Sequence, residues 1–305
     1  MADPNSPDGP NGIYVLPFAD TSHVARRNLD LAYASASAFQ KLDLYLPDGP
    51  APASGWPLIV YVHGGAWMMC DKADVQLNAP LSMLAQGFAV ASVNYRLSSE
   101  ARFPAQIHDV KAAIRWLRAH AGRHDLDPAR FAAWGCSAGG HLVSLAGMTN
   151  DVPVMEDPAM GHAETSSAVQ AVVSFFGPTK LDQMDQFLIQ TGAGEADHLD
   201  PQSPESRLLG GVPTTVPGQV IAANPETWVT PACPPFLLLH APMDPIVPVQ
   251  HSVMLSQRIT AIAGEGRARL RLVEGAGHAT PQFDQPDLLA EVAGFLGAVL
   301  KAPAA

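Results

Sequence analysis

Apolar positions along the chain fall into two kinds of run, and the kind changes after residue 46. From Leu29 to Leu46 polar and apolar residues alternate, ending in Phe39-Gln40-Lys41-Leu42-Asp43-Leu44-Tyr45-Leu46-Pro47. That period of two predicts a half-buried antiparallel strand at a sheet edge. Leu58–Val62 and Phe88–Val93 are instead short and almost wholly apolar, with room for a helix at Leu81–Gln86 between them. Such runs suit parallel strands covered on both faces. Pro104–Ala121 carries Ile107, Val110, Ala113, Ile114 and Leu117 at helical spacing behind an opening proline, and predicts a crossover helix.

The succession continues to the end of the chain. Arg130–Trp134, Val169–Phe176, Phe236–His240 and Ala268–Val273 read as strands, and Gly139–Met148, Val247–Ala263 and Leu288–Leu300 as helices. The whole is a βαβ series, which predicts an α/β fold with a mostly parallel central sheet and helices on both faces. Residues 1–12, rich in Pro, Asp, Gly and Asn, predict a frayed start without a core contribution, and residues 1–28 are taken as an N-terminal arm. One domain is expected over 29–305. Within it, residues 177–230 are poor in regular period and rich in Pro, Gly and Ser, and are taken as a small cap or border to the active site. No internal repeat is found.

Composition narrows the picture. The 305 residues are 47% hydrophobic and 15% charged, enough to bury one large core. A formal net charge of −11 without a basic stripe excludes nucleic acid as an expected partner and disfavours an anionic membrane surface. No apolar run approaches the roughly 20 residues of a membrane helix. The first residues, Met1 to Gly12, lack the basic and apolar regions of a signal peptide, so a cytoplasmic protein is expected if no leader has been removed, and a secreted one if it has. Cys70, Cys136 and Cys233 are an odd number at distant positions and are expected to be reduced. No HExxH, CxxC or carboxylate cluster predicts a metal, and no GxGxxG turn predicts a dinucleotide, so no cofactor is expected.

The central chemical signal is Gly135-Cys136-Ser137-Ala138-Gly139, a GxSxG string between a predicted strand and a predicted helix. A serine on a sharp strand-to-helix turn needs small neighbours, and its hydroxyl then stands above the sheet near the positive end of the helix dipole. His63-Gly64-Gly65-Ala66-Trp67 follows the apolar strand Leu58–Val62, and its glycines can free backbone N–H groups for an oxyanion; Gly65 and Ala66 are the candidates, with the N–H of Ala138. A serine hydroxyl needs a base and a carboxylate that orients the base. In the order Ser, acid, His, the partners are Asp244, beyond the strand Phe236–His240, and His278, in a Gly-rich loop beyond Ala268–Val273. Rivals for the acid are Glu274 and Asp284; rivals for the base are His141, His240 and His251, each with a structural or solvated reading. Cys136 is read as packing.

With these residues in hand, the sequence resembles the α/β-hydrolase fold serine esterases with an HGG motif, the hormone-sensitive-lipase-like group. Leu42-Asp43-Leu44-Tyr45-Leu46-Pro47, His63 to Trp67, Asn94-Tyr95-Arg96-Leu97, Ser203-Pro204-Glu205-Ser206 and Asp244 to Pro248 are similar to bacterial acetylxylan and feruloyl esterases. The resemblance covers most of the chain. It implies Ser137, Asp244 and His278 as a catalytic triad, Gly65, Ala66 and Ala138 as the oxyanion hole, and Trp67, Ile246 and Val247 at the substrate, with Trp67 bordering the acyl pocket. Three positions depart from the pattern: Ala241 and Cys70 stand where glycines are expected, and Lys180 stands where an acid is expected on the substrate side.

The resulting expectation is a carboxylesterase acting on small-molecule esters with short or aromatic acyl groups, including esters of carbohydrate, by an acyl-enzyme route without a cofactor. Two other readings stay open: an amidase of the arylformamidase kind, and a hydrolase-fold binding protein without catalysis. The sequence leaves the oligomeric state open, a homodimer included.

Overall fold

The apolar run after residue 56 is continuous because both its faces are covered. Strand β3 (Trp56–Val62) sends Leu58, Val60 and Val62 into one core cluster and Ile59 and Tyr61 into another, all buried. That alternation is the two-residue period of a strand, hidden in the sequence by apolar residues on both sides. The computed structural model describes residues 15–150 and 152–301. The expected frayed start at residues 1–12 lies outside the described residues.

Among the described residues eight strands form one sheet in the order β1-β2-β4-β3-β5-β6-β7-β8. They are β1 (Arg27–Ala32), β2 (Lys41–Tyr45), β3, β4 (Ala89–Val93), β5 (Leu126–Cys136), β6 (Ala171–Phe175), β7 (Phe236–His240) and β8 (Ala268–Leu272). The β1–β2 and β2–β4 pairs are antiparallel, and every pair from β4 to β8 is parallel. The alternating stretch at 29–46 is thus two strands rather than one. β1 forms the exposed edge and β2, almost wholly buried, lies between β1 and β4.

Among the described residues eight helices connect and cover these strands: α1 (Asn78–Leu81), α2 (Ala105–Ala119), α3 (Ala138–Met148), α4 (Met184–Thr191), α5 (Pro204–Leu209), α6 (Pro217–Ala223), α7 (Gln250–Ala263) and α8 (Pro286–Leu300). The predicted helix at 81–86 is α1 continued by a 3₁₀ stretch, Ser82–Gln86. Ile107, Val110 and Ile114 of α2, Leu142 and Leu145 of α3, and Leu255 and Ile259 of α7 fill one face of the sheet. Leu288, Val292, Phe295 and Leu296 of α8 fill the other. Each fully buried aliphatic side chain stabilises the fold by roughly 1.5–3 kcal/mol.

The described part of the N-terminal arm packs against the body of the fold. Val24 is buried in the second core cluster, Phe18 forms an isolated bridge with Asp74, and Pro17 O accepts from the Val75 N–H at 2.8 Å. This chain segment lies against the 65–80 loop, at the carboxyl ends of the parallel strands, where open α/β sheets form their sites.

Candidate active site

The turn that carries Ser137 is built from two glycines with no space for a Cβ. A Cβ on Gly135 would lie 2.4 Å from Gly139 O, and one on Gly139 would lie 2.0 Å from Val62 O. Strand β5, helix α3 and strand β3 approach so closely here that no other residue fits. Between the glycines Ser137 takes φ 52° and ψ −122°, a region that L residues rarely adopt. Its N–H donates to Phe175 O at 2.9 Å, and its carbonyl accepts from the His141 N–H at 3.0 Å, which holds the strained turn in place. The side chain stands at the amino end of α3.

The Ser137 hydroxyl meets His278 Nε2 at 3.0 Å, and His278 Nδ1 meets Asp244 Oδ2 at 2.8 Å. With Nδ1–H donated to the carboxylate, Nε2 presents its lone pair to the hydroxyl. Asp244 is fully buried at the end of β7, and its Oδ1 accepts from the N–H groups of Ile246 and Val247, both at 2.9 Å. Burial alone pushes this carboxyl up, but the hydrogen bond from His278, the electrostatic interactions with His278 and His240 and the Ile246 N–H outweigh burial. The net result is a pKa below the usual carboxylate value. Phe176 meets the His278 ring edge-on at 4.8 Å between centroids.

The loop after β3 enters left-handed backbone at the last glycine of the HGG string, with φ 104° at Gly65, 52° at Ala66 and 58° at Trp67. Gly65 O accepts from the N–H groups of Met68 and Met69. The N–H groups of Gly65 and Ala66 donate to no acceptor among the described residues, and Ala138 is the first residue of α3, whose N–H has no intrahelical partner. The Asn94-Tyr95-Arg96 string supports this loop from below. Tyr95 stacks on His63 at 4.6 Å and donates to His63 O, Asn94 takes the Lys72 N–H at 2.6 Å, and Arg96 holds buried Asp109. Cys70 stands at φ 75°, in the left-handed region that favours glycine.

A cavity of about 420 Å³ opens on Ser137 and His278, within the size range of small-molecule sites. Tyr61, Trp134, Phe175, Phe176 and Phe283 give it an aromatic wall, Ala66 and Ile246 border it, and Asp284 is its carboxylate.

Several expectations are corrected here. Trp67 is 2% exposed and does not line the cavity; its indole N–H donates to His141 Nδ1 at 3.2 Å, which points the ring into the core. Val247 is likewise buried and acts through its backbone, donating to Asp244 and accepting from His240 Nε2 at 2.7 Å. Residues 177–230 contribute none of the cavity lining; Leu16, the 65–80 segment and residues 279–284 border it alongside the aromatic wall. Lys180 is also absent from the lining, its N–H being bonded to His251 Nδ1 at 3.2 Å.

The rival groups are placed elsewhere. Burial holds His141 and His240 down to about pKa 4, and His251 well below its ordinary value, so all three are neutral core residues. Glu274 is exposed. Asp284 reaches the cavity without bonding to His278. Cys136 is not mere packing, because its Sγ–H donates to Gln76 Oε1 at 2.9 Å. Sequence reasoning missed Gln76, Leu16, Phe176 and Phe283, which come from segments with no motif of their own. Among the described residues no group of three or more His, Cys, Asp or Glu side chains is arranged to hold a metal. No helix among them is long and apolar enough to cross a membrane.

A mostly parallel eight-stranded sheet with a serine on the strained turn between β5 and α3 defines an α/β-hydrolase. Residues 42–259 match the family described as BD-FAE, and the chain belongs to that family of α/β-hydrolase esterases. It is 33% identical over 259 residues to Esterase LipC of Mycobacterium tuberculosis, covering 80% of this chain and 58% of that protein. It is 30% identical over 302 residues to Esterase LipQ of the same organism, covering 95% and 67%. The chain therefore spans little more than half of the length of one of these relatives and two thirds of the other. Among solved structures, a truncated form of a carbohydrate esterase from gut microbiota matches with a TM-score of 0.82 at 31% identity, over 93% of this chain and 99% of that one.

Proposed function

We propose that this chain is a carboxylesterase in which Ser137 is the nucleophile, His278 the general base and acid, and Asp244 the group that orients the imidazole. The observation that carries the reading is the continuous hydrogen-bonded path from the Ser137 hydroxyl through His278 to Asp244, opening on an apolar cavity. In the first step His278 Nε2 takes the hydroxyl proton as Oγ attacks the ester carbonyl. The N–H groups of Gly65, Ala66 and Ala138 take the charge that develops on the carbonyl oxygen. Collapse expels the alcohol, which receives the proton from His278, and water repeats the sequence to release the acid. Asp244 stays ionised throughout, its lowered pKa matching that role.

The acyl group is assigned to the aromatic cavity. Its volume and its rings suit short aliphatic and single-ring aromatic acyl groups. The likeness to a gut carbohydrate esterase supports a sugar as the alcohol, left at the open mouth of the cavity. The reading is tested with p-nitrophenyl esters of increasing acyl length, acetylated xylan fragments, feruloyl esters and formyl-kynurenine, each on the parent and on Ser137→Ala. Turnover of short or aromatic acyl esters by the parent alone is expected. Preference for the formamide over every ester would replace the esterase reading with the amidase one, and equal rates for both proteins would remove Ser137.

A further inference from the structure

We infer that Gln76 is a positioning residue that clasps together the two halves of the oxyanion hole. The inference rests on the roles proposed for Ser137, Gly65, Ala66 and Ala138. Gln76 sits in the short turn Val75–Leu77, which Asp74 caps by accepting the Gln76 N–H at 3.0 Å, and its side chain reaches the cavity wall. Its Oε1 accepts from the Gly64 N–H and from the Cys136 thiol, both at 2.9 Å, while its Nε2 donates to Asp74 Oδ2 at 3.1 Å. The amide can face only one way, because the Gly64 N–H requires an oxygen and the Asp74 carboxylate requires an N–H.

Gly64 immediately precedes the loop donors Gly65 and Ala66. Cys136 immediately precedes Ser137 and the third donor, Ala138. One amide oxygen therefore joins the two backbone segments whose N–H groups must converge on a single substrate oxygen. The segments abut so closely that a Cβ on Gly64 would lie 2.9 Å from Gln76 Oε1 and 3.0 Å from Cys136 O. Burial raises the Cys136 thiol to about 12, so it stays protonated and able to donate. By taking the Gly64 N–H, Gln76 also decides which N–H groups of this loop face the cavity. Oxyanion donors act over a narrow span of about 2.7–3.1 Å, so a clasp that fixes their separation controls the rate.

The test uses Gln76→Met, similar in length but unable to accept or donate these bonds, and Gln76→Glu. Both are measured per active site, counted by phosphonate labelling of Ser137. For Gln76→Met the expected result is a kcat lower by about 10- to 100-fold with KM within about threefold, the split left by losing contacts made in the transition state. Gln76→Glu puts a second carboxylate beside Asp74. Its kcat relative to the parent at the same pH is expected to rise as pH falls, because protonation restores a carbonyl acceptor and a donor toward Asp74. A residue that serves only stability would lower the count of active sites or the melting temperature and leave kcat per site and this pH ratio unchanged; either unchanged value overturns the inference. If Gln76→Met does not fold, the Gln76→Glu ratio alone decides. Failure of the parent to label at Ser137 would instead remove the reading of the site on which the inference rests.

Discussion

The indole N–H of Trp67 donates to Nδ1 of His141 at 3.2 Å, and His141 passes the interaction on by donating Nε2–H to Ala223 O at 2.7 Å. The loop that carries the proposed oxyanion donors is thereby pinned from behind to α3 and α6. Trp67→Phe would keep most of the ring but leave His141 Nδ1 buried without a donor, a loss of about 1–3 kcal/mol. Urea unfolding is expected to show that loss while the ranking of acyl chain lengths stays that of the parent. A changed ranking with unchanged stability would return Trp67 to the acyl pocket.

Asp244→Asn keeps a carbonyl oxygen for the Ile246 and Val247 N–H groups, so the fold is expected to survive. The amide no longer favours the imidazole tautomer whose Nε2 accepts from Ser137. A kcat loss of roughly 10⁴-fold is expected, the scale seen when a triad acid is neutralised. A loss of less than about tenfold would mean that Asp244 does not orient the base.

The buried histidines predict an acid limit to stability. Desolvation lowers His141 and His240 to about 4 and His251 well below 6.5, so in the folded state they stay neutral where the unfolded chain takes up protons. For a group whose folded pKa is depressed, the stabilisation is full above the unfolded value of 6.5 and is lost as pH falls toward the folded value. Each such histidine contributes a slope of about 1.4 kcal/mol per pH unit within that window. Asp74, Glu226 and Asp284, which desolvation raises, act in the opposite sense and moderate the sum. Urea midpoints are expected to fall from pH 6.5 to 4.5, and His141→Gln to remove about one proton from the slope. An unchanged slope in that variant would contradict a neutral His141.

Asp284 gives the cavity a carboxylate, and no lysine or arginine belongs to the described lining. Esters whose acyl group carries its own carboxylate are therefore expected to be poor substrates. Asp284→Asn is expected to raise kcat/KM for a p-nitrophenyl monosuccinate by about 3- to 10-fold relative to the butyrate at low salt, and by less at high salt. A ratio that does not move, at either ionic strength, would show that the carboxylate does not face the acyl group.

Much of this site was legible in the sequence because its chemistry depends on backbone positions that the sequence marks. Gly135 and Gly139 are required by approaches of 2.4 and 2.0 Å, and the strands β5, β7 and β8 end shortly before Ser137, Asp244 and His278. The cavity walls were not legible. Leu16, Gln76 and Phe283 reach the site from segments far apart in the chain, and no local period records such a meeting. Residues 177–230 show the same limit, since a Pro- and Gly-rich composition announces an irregular connection but not the side of the sheet on which it packs. Trp67 was misplaced because a motif gives the position of a residue, whereas the rotamer that turns its ring toward His141 is set by the tertiary contact.

Whether the hydroxyl of residue 137 is the atom that attacks is decided by reacting the protein with a p-nitrophenyl phosphonate and reading the adduct by peptide mass spectrometry. One adduct per chain, on Ser137, is expected with a matching burst of p-nitrophenol, and neither adduct nor burst in Ser137→Ala. An adduct on Cys136 or any other side chain, or undiminished ester hydrolysis by Ser137→Ala, would contradict attack by Ser137.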